Sequence, residues 1–67
     1  MVAIKWHNKH SHEEGYVKSV DVKEKHFINT YDRTEAHEYA TEVGAKSIIG
    51  KLKAWGEGTN NEFSIVY

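Results

Sequence analysis

The sequence lacks cysteine and proline altogether, and it contains no long apolar run. Without cysteine, no disulfide can stabilise the fold and no cysteine pair is available to a zinc site. Without proline or a low-complexity stretch, nothing marks a linker, so the 67 residues are interpreted as a single domain, 1–67. Because neither an apolar signal segment nor a membrane span is visible, we expect a cytoplasmic protein without membrane contact.

A strong charge of one sign is also missing. Nine basic and ten acidic residues give a formal net charge of −1, which reaches +4 only if all five histidines are protonated. This balance predicts no general attraction to nucleic acid or anionic lipid. The chain has neither a nucleophile elbow nor a Gly-rich phosphate loop, and so short a chain can hardly enclose a water-excluded pocket. We therefore expect a protein that is not an enzyme and uses no cofactor.

Four segments have the composition and periodicity of β-strands. Alternation in VAIKW predicts a strand over residues 2–6, and β-branched and aromatic residues predict strands over 16–22 and 26–31 with a turn between them. EFSIVY, residues 62–67, alternates again and predicts a last strand. Gly15 is suited to closing the loop after the first strand. The GEGTNN stretch indicates a flexible connection before the last one.

Helix signals occupy the middle of the chain. Asp32 is expected to cap a short helical turn, with Glu35 as its capping-box partner. Thr41 is expected to cap a longer helix over residues 42–55, and Gly56 is suited to the left-handed residue that ends it.

The predicted fold class is therefore α+β. An antiparallel sheet of three to four strands, in the order β-β-β-α-β, is covered on one face by one long helix that follows a short helical turn. The residues expected to form the core are Ile4, Trp6, Val20, Phe27, Ile48, Ile49, Leu52, Phe63 and Ile65.

The segments GYVKSVDV and FINTYDRTEAHEYATEVGAKSIIGKLK resemble small proteins encoded by phages and prophages of Gram-positive bacteria. In those proteins a YLKSV-like strand, a hydrophobic strand ending in Thr, a short Ala-aromatic turn of helix and an Ala-containing amphipathic helix recur. The matching parts are Tyr16–Val20, Thr30, Ala36–Tyr39 and Ala45–Leu52. Most such proteins are uncharacterised, so the resemblance implies a compact accessory protein and carries no catalytic or binding residue.

Three of the five histidines lie in WHNKHSHEEG and raise the question of a metal site. In a strand, His10 and His12 would point to the same side, with His7 nearby and Glu13 or His26 available to complete a tetrahedral zinc set. The alternative is a solvated hairpin loop. The exposed position and the absence of cysteine partners favour the loop.

Lys46, Lys51 and Lys53 flank the apolar stripe of the predicted long helix. Basic side chains in such an arrangement can contact nucleic acid phosphates. Interspersed acidic residues make an ordinary solvated surface the stronger interpretation. Nucleic-acid binding is therefore the alternative hypothesis.

Two tryptophans, four tyrosines and two phenylalanines have more aromatic surface than so small a core can readily bury. Because aromatics are favoured anchors at interfaces, we expect Trp55, Tyr67, Tyr16 and Tyr31 to contact a partner, unless they complete the core. The preferred hypothesis is an accessory protein that binds another protein or a second copy of itself.

Overall fold

The computed structural model describes all 67 residues. Four strands, β1 (Ala3–Asn8), β2 (Glu14–Asp21), β3 (His26–Thr30) and β4 (Asn61–Val66), form one antiparallel sheet in the order β3-β2-β1-β4. The helix α1 (Glu42–Ala54) precedes β4, and two 3-10 helices occupy Arg33–Glu35 and Glu57–Thr59. The predicted α+β fold and its β-β-β-α-β order are confirmed, with strand ends moved by one or two residues.

The apolar face of the sheet follows from the two-residue alternation of its strands. Across β1 and β4, Ile4 is paired with Ile65 and Trp6 with Phe63, so these four side chains share one face. Val17 of β2 belongs to the same buried cluster. The sheet thereby offers one continuous apolar surface for the helix to cover.

The helix α1 docks on this surface through a narrow stripe. Ala45 and Leu52, seven residues apart and therefore on the same side of the helix, are both 0% exposed. At the start of the helix the Thr41 hydroxyl accepts a hydrogen bond from the Gly44 N–H at 3.1 Å, and after its end Gly56 has a left-handed φ of 92°. Both predicted caps are confirmed.

A short extended segment between β3 and α1 completes the sheet where β1 and β2 separate. The Cα register of β1 and β2 contains only three pairs. Beyond them the His37 N–H donates to the Val17 carbonyl at 3.0 Å, and Tyr39 exchanges backbone hydrogen bonds of 2.7 and 2.9 Å with Val2. The resemblance implied a helical turn at residues 36–39. The structure corrects it, since the 3-10 helix ends at Glu35 and the chain there is extended.

The predicted core is confirmed in part. Ile4, Trp6 and Leu52 are buried, while the other six predicted residues are half-buried and pack around them: Val20, Phe27, Ile48, Ile49, Phe63 and Ile65. Smaller side chains, Val2 and Ala45 among them, share the centre instead. Because a chain this short buries only a thin core, its larger side chains extend to the rim.

The predicted capping box at the first 3-10 helix is half correct. The Asp32 carboxylate accepts a hydrogen bond from the Thr34 N–H at 2.9 Å, as an N-cap does. The Glu35 side chain does not accept the Asp32 backbone N–H, which donates to the Thr30 hydroxyl at 3.1 Å instead. The Glu35 carboxylate accepts a hydrogen bond from the Thr30 hydroxyl at 3.4 Å and forms an ion pair with Lys18 at 3.5 Å.

The GEGTNN connection before β4, predicted as a flexible connection, contains a turn of regular structure. It forms the 3-10 helix Glu57–Thr59, and the Lys9 N–H donates to the Asn60 carbonyl at 2.7 Å. None of the helices combines the length and the apolar character that crossing a membrane requires.

Candidate functional site

Trp6, which lines the candidate site described below, lies directly over Gly15. A Cβ added at Gly15 would lie 2.6 Å from the Trp6 Cζ2 and 2.7 Å from the Thr30 carbonyl oxygen. The indole N–H donates to the Tyr16 carbonyl at 3.1 Å, and Tyr31 meets the indole edge-on with ring centroids 5.7 Å apart. Gly15 therefore lies inside β2 because it makes room for an aromatic ring. The prediction that it closes a loop is wrong.

Beside Trp6 is a cleft of about 380 Å³, here called the polar cleft. Its aromatic lining comes from Trp6, Phe27 and Tyr31, and its charged lining from Glu13 and Glu57. Three asparagines and a serine complete it. These residues come from β1, β3 and the residue after it, β4, the β1–β2 loop and the second 3-10 helix, so the cleft exists only in the folded chain.

The lining of the polar cleft contains two carboxylates and no basic side chain. Glu13 accepts a hydrogen bond from the Tyr31 hydroxyl at 2.7 Å, and this bond raises the pKa of Tyr31 above its ordinary value of 10.0. Neither Glu13 nor Glu57 forms an ion pair, whereas the salt bridges of the chain use three other glutamates. The residues that line the cleft therefore carry an excess of negative charge.

The asparagines of the cleft differ in whether their side chains already make hydrogen bonds within the chain. The side-chain oxygen of Asn8 accepts hydrogen bonds from the backbone N–H groups of His10 and Ser11, both at 2.9 Å. The Asn61 amide donates to the Glu57 carbonyl at 3.2 Å. The Asn29 side chain makes no hydrogen bond within the chain, which leaves one amide of the lining free for a ligand.

The histidine-rich segment forms a hydrogen-bonded turn at the rim of the cleft. His7 Nδ1 lies 3.0 Å from a Glu14 carboxylate oxygen, and the His7 and His12 rings are 5.9 Å apart. His10 instead pairs with the Asn60 side chain at 3.0 Å. The structure thus brings two of the three predicted metal ligands near each other and pairs the third elsewhere. No group of three or more His, Asp or Glu side chains is arranged to hold a metal ion.

The four predicted interaction aromatics fall into two groups. Tyr31 and Tyr67 are 65% and 81% exposed. Tyr16 is half-buried with the Arg33 guanidinium 5.8 Å from its ring centroid, and Trp55 is half-buried against the core. Only Tyr31 and Tyr67 therefore expose most of their surface to a possible partner.

The three predicted nucleic-acid-binding lysines, Lys46, Lys51 and Lys53, are all exposed on α1. Lys46 and Lys53 are seven residues apart and share one side of the helix, while Lys51 is about 140° round from Lys46. Lys53 also borders a second cavity of about 560 Å³, where Lys9 Nζ donates to the Gly58 carbonyl at 3.3 Å. Two of the lysines therefore lie on one side of the buried stripe of Ala45 and Leu52 and the third lies on the other, so the three flank the stripe as predicted.

The sheet has two open edges, since β3 is paired only with β2 and β4 only with β1. Backbone groups of β4 that point away from β1 make no hydrogen bond within the chain. Such groups are available to an added strand.

In comparisons with protein families, curated proteins and solved structures, the chain shows no significant match. The resemblance of residues 16–53 to phage-encoded proteins stays a prediction. The function has to be inferred from the residues of the chain itself.

Proposed function

We propose that this chain is a non-enzymatic accessory protein that binds another protein, or a second copy of itself, through the outer edge of β4 and the adjacent Tyr67. The observation that carries the proposal is the unpaired backbone of β4, a strand of six residues followed by a tyrosine that is 81% exposed. An extended segment can add to such an edge by main-chain hydrogen bonds, and the aromatic ring then supplies apolar contact.

The β4 edge is better suited to this role than the β3 edge. Natural sheets protect open edges with lysine, proline or very short strands, and β4 has none of these; Glu62 is its one charged residue. The five-residue β3 instead follows a turn that contains Lys23 and Lys25. Antiparallel pairing of β4 with its own copy also closes as a twofold dimer, whereas a β3-to-β4 contact would continue into a filament.

Sedimentation of the purified chain over a range of concentrations tests self-association. Ser64→Lys places a charge on an exposed side chain of β4, and Ser47→Lys makes the same change on the exposed surface of α1. We expect Ser64→Lys and Tyr67→Ala each to weaken a dimer by about tenfold, a typical effect for losing one interface anchor, and Ser47→Lys to leave it unchanged.

If the wild-type chain stays monomeric, the proposal requires a different protein as the partner. Capture from host lysate, with and without nuclease, should then retain a protein that Ser64→Lys loses and Ser47→Lys keeps. Capture that nuclease abolishes would instead favour nucleic-acid binding through Lys46, Lys51 and Lys53. A monomeric chain whose captured proteins are unaffected by Ser64→Lys and Tyr67→Ala would contradict the proposal.

A further inference from the structure

The polar cleft has an excess of negative charge that no ion pair within the chain neutralises. The carboxylates of Glu13 and Glu57 line it without an ion-pair partner, although the chain contains nine basic residues. The only side chain that donates a hydrogen bond to Glu13 is the neutral hydroxyl of Tyr31. No basic side chain of the lining would therefore compete with an entering cation for the two glutamates.

The aromatic walls of the cleft suit the same kind of ligand. Tyr31 is 65% exposed, and ring faces attract cations while their apolar surface contacts methylene groups. Trp6 is only 4% exposed and Tyr31 meets it edge-on, so the cleft offers no parallel pair of rings between which a planar base could stack. The free amide of Asn29 adds a neutral hydrogen-bonding group on the same wall.

From this combination we propose that the polar cleft is a binding site for an organic cation, an alkylammonium or guanidinium group carried on a short aliphatic chain. The carboxylates of Glu13 and Glu57 bind the charged end, and Tyr31 and Phe27 contact the aliphatic part. The cavity of about 380 Å³ is large enough for one such group and too small for a folded segment. The site does not require the β4 edge to bind a partner.

Titration of the ¹⁵N-labelled chain with N-acetyl-lysine methylamide or methylguanidinium tests the proposal, with N-acetyl-norleucine methylamide as the uncharged control. The reporters are the Trp6 indole N–H and the Asn29 side-chain amide. We expect saturable shifts with the two cations, none with the norleucine compound, and weaker binding when the ionic strength rises from about 0.05 M to about 0.5 M.

Glu13→Gln and Glu57→Gln should each weaken binding by about five- to tenfold, because each removes one charge while keeping the shape of the side chain. Glu24→Gln, in the turn between β2 and β3, removes the same charge outside the cleft and should leave binding unchanged. Equal binding of the norleucine compound, or equal weakening by Glu24→Gln, would overturn the proposal. Absence of shifts with both cations would overturn it as well.

Two further probes separate the sources of the cation. Butylammonium that binds as tightly as a lysine-containing peptide would assign the site to free amines. Tighter binding of the peptide would assign it to a basic side chain of a protein partner. Both results support a cation site, whereas binding that is indifferent to Glu13→Gln and Glu57→Gln with either probe contradicts it.

Discussion

Replacing glycine by alanine should have opposite effects at two positions of this fold. In β2, Gly15 lies under the Trp6 ring, so an added methyl would overlap the indole at 2.6 Å and the Thr30 carbonyl at 2.7 Å. In α1, Gly50 has no atom within 4 Å of the same added methyl. The first substitution overpacks the sheet, and the second only reduces the backbone freedom of the unfolded chain.

The magnitudes follow from these contacts. Overpacking costs about 1–3 kcal/mol, and moving the indole away breaks its hydrogen bond to Tyr16, which contributes about 1 kcal/mol more. We therefore expect Gly15→Ala to lower the free energy of unfolding by about 2–4 kcal/mol, and Tm by about 10 °C or more. Gly50→Ala should raise the free energy of unfolding by about 1 kcal/mol and Tm by about 4–8 °C.

Urea unfolding followed by tryptophan fluorescence and far-UV circular dichroism measures both changes. A double-mutant cycle with Trp6→Leu adds a control: once the indole is gone, the cost of Gly15→Ala should fall, although the contact with the Thr30 carbonyl remains. A Gly15→Ala chain within about 0.5 kcal/mol of the wild type would refute the packing argument. A cost that is unchanged in the Trp6→Leu background would refute the role of the indole.

Three other predictions use different parts of the fold. Thr41→Ala should lower the free energy of unfolding by about 1 kcal/mol in urea titrations because it removes the N-cap of α1, while Thr41→Ser should keep most of it. Hydrogen bonds with the side chains of His7 and, to a smaller extent, Lys5 hold the pKa of Glu14 below its ordinary value of 4.5. The resulting stabilisation is present above that value and is lost as the pH falls through the lowered folded pKa. Glu14→Gln should therefore flatten the acid side of the stability profile, measured as the urea midpoint from about pH 6 down to about pH 2.5. Leu52→Ala, at a fully buried position, should cost about 2–5 kcal/mol by calorimetry, and native-like stability would contradict its place in the core.

Local signals located the elements well because each depends on neighbouring residues. Thr41 and Gly56 delimit α1 as predicted, since a cap involves only the adjacent turn of backbone. Alternation located the first and last strands and β-branched and aromatic composition the two between them, all to within two residues, because both signals belong to the strand's own residues. Glu35 was misassigned because two partners from other segments, Lys18 and Thr30, compete for its carboxylate.

The candidate site was not predictable in the same way. Glu13, Tyr31 and Glu57 are separated by 18 and 26 positions and carry no motif that links them. They meet because β3 folds back beside β2, while the segment before β4 returns to the β1–β2 loop. The aromatic content predicts an interaction role for Tyr31, and the histidine-rich segment offers Glu13 as a metal ligand, but no local pattern joins these two residues.

The amino-acid sequence by itself determined the class of fold, the ends of the helix and the succession of strands and helix along the chain, because periodicity and capping act over a few residues. The tertiary structure alone decided that Gly15 lies beneath Trp6, that residues 37–39 fill the gap between β1 and β2, and that two unpaired carboxylates share a cleft. Those features arise from contacts between segments distant in the chain. Their geometry depends on how the whole sheet pairs and bends, which no local pattern records.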